Sequence, residues 1–282
     1  MMPLFPKRMH HFVDLFCGGA NVAINIHAEG SMYGIDQQKE VIRLFNTLKT
    51  VTKDEAFRTI YEIIKEYRLS DSHKYGYATY NCNSAKGLAS YNKERYIQLR
   101  KAYNERENDS VYYDFVFFVL TVYGFNNQIR FNRSGEFNIP VGKRDFNEKV
   151  QVNLANFIKQ IKSKDINFIC DDFREVDLGR LSQGDFLYAD PPYLISTATY
   201  NEQGGWTERE EKDLLELLDQ LDRQGVKFAL SNVLEHKGGE NHFLKQWAKN
   251  YDIHYLNYHY DNSNYQIKEK GLKTLEVLIT NY

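Results

Sequence analysis

Short apolar runs that stop abruptly at glycine or aspartate recur along this chain and set its expected architecture. Residues 11–17 (HFVDLFC) form a β-prone run ending at Gly18-Gly19, and the ANVAINI that follows reads as the start of a helix. SMYGID gives a second run ending at Asp36, after which QQKEVIRLFNTLK places Val41, Leu44, Phe45 and Leu48 at helical spacing. From Val51 to Val111 the pattern changes to charged helical segments, DEAFRTIYEIIKEYRL and NKERYIQLRKAYNERE, around a Tyr/Asn/Gly-rich stretch. An apolar helix, VYYDFVFFVLTVYGF, leads into NNQIRFNRSGEFNIPVGKR, where Arg133-Ser134-Gly135 joins two short alternating runs as a hairpin. Strand and helix then alternate again through INFICDDF, DFLYADPPY, EEKDLLELLDQLDRQG, VKFALSN and TLEVLITNY. The pattern predicts an α/β protein whose doubly wound sheet begins, is interrupted by a mostly helical insert, and resumes.

Composition narrows this picture without redirecting it. A chain of 282 residues, 42% hydrophobic and 26% charged, suits one large α/β domain with an insert, or two modest domains. Aromatic residues make up 15%, more than core packing requires, and spare rings can serve as platforms for planar partners. The net charge of -2 removes any global positive field, so a nucleic-acid footprint has to be local. Cys17, Cys82 and Cys170 are odd in number and far apart, matching neither a disulfide framework nor a zinc spacing, and a reducing, cytoplasmic setting is expected. His10-His11, His236 and His242 show no ligand pattern, so no metal is expected. The N-terminus lacks a signal-type apolar core, and no run of about 18 apolar residues is present to span a bilayer.

Candidate chemistry follows the strand segments directly, where open parallel sheets bind ligands. Gly18-Gly19 follows the first strand, Asp36 ends the second, Asp171-Asp172 end the third and Asp190-Pro191-Pro192-Tyr193 follow the fourth. A glycine turn with an acidic residue at the next strand's end is a way to hold an adenosine, the carboxylate accepting ribose hydroxyls. Gly18-Gly19-Ala20-Asn21 lacks the GxGxxG spacing that seats a pyrophosphate, which disfavours NAD or FAD, whereas S-adenosyl-L-methionine (SAM) carries no phosphate and tolerates a looser turn. Two prolines after an apolar strand make a stiff extended turn. An adenine amino group is a poor nucleophile, and a carboxylate (Asp190) with a main-chain carbonyl (Pro191) accepting its two N–H bonds would make the nitrogen more nucleophilic. Such a base has to be flipped out of a duplex and held against an aromatic face, which Tyr193 can supply.

The ordered set FVDLFCGGANVAINI, YGIDQQ, YGFNNQIRFNRSGEFNIPVGKR, YADPPYLISTATYN and SNVLEHKGGENHFLKQW resembles the Dam family of adenine DNA methyltransferases, especially its bacteriophage members. The resemblance implies a Rossmann-like SAM-dependent methyltransferase sheet with an inserted, mostly helical target-recognition domain. It assigns residues 1–50 and 145–282 to the SAM-binding catalytic domain and residues 51–144 to a target-recognition domain with a DNA-reading hairpin. It puts Asp14, Phe16, Cys17, Gly18 and Gly19 in the turn against the methionine part of SAM and Asp36 on the ribose. Asp171, Asp172 and Phe173 fall beside the cofactor adenine, with Asp190 close by. Phe125 and Asn126 match residues entering the base stack near the displaced adenine, and Gln128, Arg130 and Pro140 match the groove-reading hairpin. Arg130 would read guanine through its fork, and Arg133, Lys143 and Arg144 would meet phosphates of double-stranded DNA.

Two departures qualify the resemblance. Family members carry a Gly- and Lys-containing segment before the first strand that helps to hold SAM, whereas Met1 to His11 precede it here; Lys7 or Arg8 substitutes, the start is internal, or cofactor affinity is weakened. Gln128 stands where relatives place an apolar residue against a thymine methyl group, so a GATC-like site is the expectation the resemblance provides. The alternatives are a catalytically impaired DNA-binding relative and a methyltransferase acting on RNA or a protein amide. Monomer and weak dimer both stay open.

Overall fold

The computed structural model describes residues 1–195, 205–256 and 274–282. The chain divides into two compact units, Met1–Gln38 with Asp165–Tyr282, and Lys39–Lys164.

The first unit is built on one mostly parallel sheet. Its strands are β1 (Phe12–Asp14), β2 (Met32–Asp36), β3 (Ile166–Cys170), β4 (Phe186–Ala189), β5 (Lys227–His236), β6 (Gly239–Glu240), β7 (Asp252–Leu256) and β8 (Thr274–Thr280). Their order is β3-β2-β1-β4-β5-β8-β7, with β6 paired to β5. β1 to β5 run parallel, and β8 pairs antiparallel with both β5 and β7. All residues of β1 and β4 are buried, which explains their unbroken apolar character: strands covered on both faces have no solvent side to alternate with. Because β1 has β2 on one side and β4 on the other, the direction of winding reverses between β1 and β4, the place where such sheets open a ligand crevice at their carboxyl ends.

The core of this unit joins Val13, Leu187, Phe228, Leu230, Val277 and Ile279 of the sheet to Leu214, Leu218 and Leu221 of a long amphipathic helix, Glu208–Arg223. That helix starts at a capping box in which Thr207 and Glu210 serve each other's backbone donors. The leucines of this helix thus form a stripe packed into the core.

One local expectation fails. ANVAINI forms only a single 3-10 turn, Ala23–Asn25, and not a helix. Ala20 takes a left-handed φ of 54°, and the Ala23 N–H is captured by the Asp14 carboxylate at 3.2 Å. Val22, Ile24 and Ile26 are β-branched and add no helix propensity of their own to resist this.

The second unit is helical: α1 (Lys39–Thr50), α2 (Lys53–Glu66), α3 (Ser72–Tyr75), α4 (Ala89–Asn104), α5 (Val111–Tyr123) and α6 (Glu148–Lys162). α5 is its centre and packs against α1, α2 and α4. Phe115, Val116, Phe117, Val119 and Leu120 of α5 are at most 2% exposed, each worth about 1.5–3 kcal/mol of burial. Asp114 in the same helix accepts from Thr47 at 2.6 Å and pairs with Arg43 of α1, which places α1 in this unit. The compact units thus divide at 38/39 and 164/165, so residues 39–50 and 145–164, grouped with the sheet in the sequence reading, cluster with the helices.

Candidate active site

Four parallel strands deliver acidic residues to one edge of the sheet. Asp14 ends β1, Asp36 ends β2, Asp171 follows β3 and Asp190 follows β4; in register, Asp14 lies opposite Gly34 and Tyr188, and Asp36 opposite Cys170. Parallel neighbours end on the same side, so topology alone gathers these carboxylates.

The turn after β1 is held by this edge. Asp36 Oδ2 accepts from Gly18 N at 2.8 Å and its Oδ1 from Gln38 N at 2.9 Å, while Cys17 N donates to the Ile35 carbonyl at 2.9 Å. Gly18 has a φ of +46°, a region that L side chains rarely adopt, and the space its missing Cβ would take is open for 4 Å. A ligand can therefore lie against bare backbone beside the Asp36 carboxylate. Asp14 is 1% exposed. Burial foremost, followed by the like charges of Asp190 and Asp36, outweighs the Ala23 N–H and pushes its carboxyl up to about 7. An apolar surround with clustered negative charge calls for a cation. The buried Cys17 thiol is raised well above its usual range by desolvation and by Asp14 and Asp36, so it is no thiolate nucleophile.

Asp190 begins the Asp-Pro-Pro-Tyr turn directly after Ala189, the last residue of β4. It is open to solvent but recessed, and the protein crowded around it raises its carboxyl above the ordinary carboxylate range, with the charge of Glu276 adding to this and the Tyr193 and Tyr188 hydroxyls opposing it. Tyr193 donates to Asp190 Oδ1 at 2.8 Å. The buried Tyr188 hydroxyl also shares a hydrogen bond with Ser231 Oγ at 2.9 Å. Tyr193 thus fixes this carboxylate, while Tyr188, two residues before Asp190 in the chain and not singled out in the sequence, adds to its polar surroundings and is recognisable by that period alone.

After β3 the two aspartates part company. Asp172 is occupied: Arg174 donates to its Oδ1 from Nε at 2.9 Å and to its Oδ2 from Nη2 at 2.6 Å, which lowers its carboxyl. Asp171 Oδ1 accepts the neighbouring Asp172 N–H at 2.9 Å. Phe173 is 3% exposed and packs against Phe16 at 5.5 Å between ring centroids. At the opposite, amino end of the strands, ligating atoms of His10, His11 and Asp185 lie within 4.8 Å of one another, but both Asp185 oxygens already accept N–H groups, from His11 at 2.9 Å and Ser182 at 2.8 Å.

In the helical unit the expected hairpin is present. Phe131 bridges Phe137 in antiparallel sense, Asn132 N and Asn138 N donate across it at 2.8 and 3.1 Å, and Arg133-Ser134-Gly135 forms the turn. Gly142 is required beneath it, since a Cβ there would lie 2.3 Å from the Gly124 carbonyl oxygen. Three α4 side chains support the hairpin: Tyr96 and Arg100 donate to Ile139 O at 3.2 and 2.9 Å, and Asn104 pairs with both the N–H and C=O of Phe137. No sequence signal marked them. Phe125 is 41% exposed, and Asn126 and Asn127 follow it with φ of 53° and 55°, an unusual pair of left-handed residues at an exposed bend. Arg130 Nε donates to Asn138 Oδ1 at 2.8 Å, which ties one edge of its guanidinium to the hairpin. Gln128 is half-buried, Pro140 accepts Phe125 N at 2.8 Å, and Arg133, Lys143 and Arg144 are exposed. No salt bridge among the described residues involves Arg130, Arg133, Lys143 or Arg144.

The sheet order defines a Rossmann-like α/β protein, with the carboxylate row and the stiff acidic turn gathered at the carboxyl edge of its sheet. The model of the D12 class N6 adenine-specific DNA methyltransferase family matches residues 1–262, and the chain belongs to that family. It is 37% identical to the modification methylase StsI of Streptococcus sanguinis over 290 residues, covering 100% of this chain and 40% of that protein. It is 36% identical over 288 residues to the type II methyltransferase M.FokI of Planomicrobium okeanokoites, again covering 100% of this chain and 40% of the relative. A DNA adenine methylase of Vibrio cholerae is 25% identical over 225 residues, 78% of this chain and 71% of that protein. The chain thus spans two fifths of the length of the first two relatives. No helix among the described residues is long and apolar enough to cross a membrane.

Proposed function

We propose that this chain transfers the methyl group of SAM to the exocyclic N6 of an adenine flipped out of double-stranded DNA. The observation that carries the reading is the meeting, at one sheet edge, of a cation-seeking carboxylate cluster around Gly18 and the rigid turn at Asp190. SAM fits the donor set: it bears a sulfonium and an ammonium charge where Asp14 is strained by unrelieved negative neighbours, and its ribose needs an acceptor where Asp36 lies beside open backbone at Gly18. When bound, SAM supplies an electrophilic methyl carbon on a good leaving group.

The protein's own part is positioning and polarisation. Asp36 and the Gly18 turn hold the adenosine, Asp14 balances charge near the methionine portion, and Asp171, whose carboxylate is less engaged than that of Asp172, takes the adenine edge. Asp190 accepts one N–H of the target amine and the Pro191 carbonyl accepts the other, which localises the nitrogen lone pair for in-line attack. The methyl carbon would pass to the nitrogen with the C–S electron pair left on the departing thioether, and the proton the nitrogen then loses would go to the Asp190 side or to water. With Tyr193 bonded to Oδ1, the second carboxylate oxygen is the one turned to the base.

The hairpin and the Phe125-Asn126 bend supply target recognition: Arg130 addresses a guanine, Gln128 and Pro140 line the groove face, Phe125 and Asn126 enter the stack, and Arg133, Lys143 and Arg144 contact phosphates. The domain roles follow, with the sheet unit catalytic and the helical unit reading DNA. A short GATC-like site is the proposed target; the family match and the DNA adenine methylase among the relatives support adenine in DNA as the substrate. Incubation of plasmid with labelled SAM, followed by digestion with endonucleases sensitive to adenine modification, tests it. Label in DNA with protection at a discrete site supports the reading; label only in RNA or peptide included in parallel overturns it.

A further inference from the structure

Beside the carboxylate row lies an aromatic triangle whose third member the proposed reaction does not yet use. Phe16 from the turn after β1, Phe173 from the loop after β3 and Trp206, which precedes the Glu208–Arg223 helix, meet pairwise. Phe16 and Trp206 are 5.6 Å apart and edge-on at 81°, and Phe173 and Trp206 are 5.6 Å apart and tilted at 38°. Phe173 is buried, while Phe16 and Trp206 are half-buried and form the rim.

The indole is aimed by an unusual partner. Its Nε1–H donates to Glu211 Oε2 at 2.6 Å, and Glu211 is 0% exposed. The other oxygen accepts from Asn241 Nδ2 at 2.7 Å and Asn232 Nδ2 at 3.4 Å. Both amides are themselves fixed, Asn232 Oδ1 by Val233 N at 2.7 Å and Asn241 Oδ1 by Leu244 N at 3.0 Å. Trp206 and Glu211 stand one residue before the helix cap and at its fourth residue, positions where an apolar pair ordinarily staples the chain to the helix. A staple needs no charge. A carboxylate buried among neutral donors is costly, and what it adds over an apolar side chain is direction: it admits one rotation of the indole.

We propose that Trp206, oriented by Glu211, is a positioning residue of the cofactor site, its indole completing with Phe16 and Phe173 the aromatic wall on which the adenine of SAM packs. The inference rests on the methyl-transfer reading above.

The protein has two tryptophans, and Trp247 donates to Asp219 in the core, so a Trp247→Phe background leaves Trp206 as the reporter. In that protein, titration with S-adenosylhomocysteine is expected to change Trp206 emission saturably, with the Kd that calorimetry gives. Trp206→Ala is expected to raise that Kd about tenfold, Trp206→Phe to restore most of it, and Glu211→Gln to fall between them. Calorimetric binding without any change in Trp206 emission, or Trp206→Ala and Trp206→Phe that both bind as the parent does, overturns the inference and leaves the methyl-transfer reading standing. Absence of binding to the parent overturns that reading and the inference with it.

Discussion

The Tyr193 hydroxyl donates to Asp190 Oδ1 at 2.8 Å, so the residue expected to stack on the target base also holds the carboxylate expected to grip its amine. The two roles can be separated. Tyr193→Phe keeps the ring and loses the hydrogen bond, and kcat is expected to fall about fivefold, roughly 1 kcal/mol. Tyr193→Ala loses the stacking face as well and is expected to fall a further tenfold or so. Steady-state methylation of a short duplex by the two variants checks this; equal losses would mean that only the hydroxyl matters.

Asp14 gives a pH dependence of defined sign. Its carboxyl is raised to about 7 in the fold, above its ordinary 3.8, so the native state holds a proton that the unfolded chain has released. This group's contribution to stability is therefore full at low pH and declines as pH rises from about 4 to 7, by at most about 1.4 kcal/mol per pH unit. A cationic ligand prefers the ionised form, so the thermal shift given by SAM should grow through neutrality. Asp14→Asn should flatten the ligand-free melting profile between about pH 4 and 7, the window between the unfolded and folded ionisation of Asp14, and shrink the SAM shift; an unchanged profile would show that Asp14 is not the titrating group.

Asp190 must be ionised to accept the amine, and the protein crowded around its recessed carboxyl holds it above the usual range. The rate of methyl transfer under saturating SAM should accordingly rise on an acid limb lying above that of an exposed aspartate. Single-turnover rates across pH measure it, and a flat profile down to the ordinary carboxylate range would contradict the assignment.

Arg130 and Asn138 form a second testable pair, since the Nε–Oδ1 bond at 2.8 Å fixes the guanidinium fork. Arg130→Ala is expected to reduce discrimination at one base pair by about 1–3 kcal/mol. Asn138→Ala, which frees the fork without removing it, should cost less. A panel of single-substituted duplexes reads both; uniform weakening on every duplex would reassign Arg130 to the phosphate backbone.

What the sequence made legible was whatever follows from strand order and chain stiffness. Gly18, Asp36, Asp171 and Asp190 each end an apolar run, and parallel pairing brings those ends together without further information. The Arg133-Ser134-Gly135 turn was likewise readable from its residues. Less visible were features set by tertiary competition. Asp172 is claimed by Arg174, two residues on, and the expected helix after Gly19 shrinks to one turn because Asp14 takes the Ala23 N–H. Glu211 looked like one more charge on a helix whose stripe is leucine, and only its position at the cap of Thr207 turns it inward to Trp206. The α6 helix, despite Leu154, Ile158 and Ile161 at helical spacing, and the short β7 were not among the segments read from the sequence.

The most direct test of the central claim pairs two measurements on Asp190→Ala. Labelled methyl transfer to duplex DNA should be abolished while SAM binding by calorimetry stays close to that of the parent. Transfer near the parent rate would contradict the account, because the carboxylate would then have no part in presenting the adenine amine.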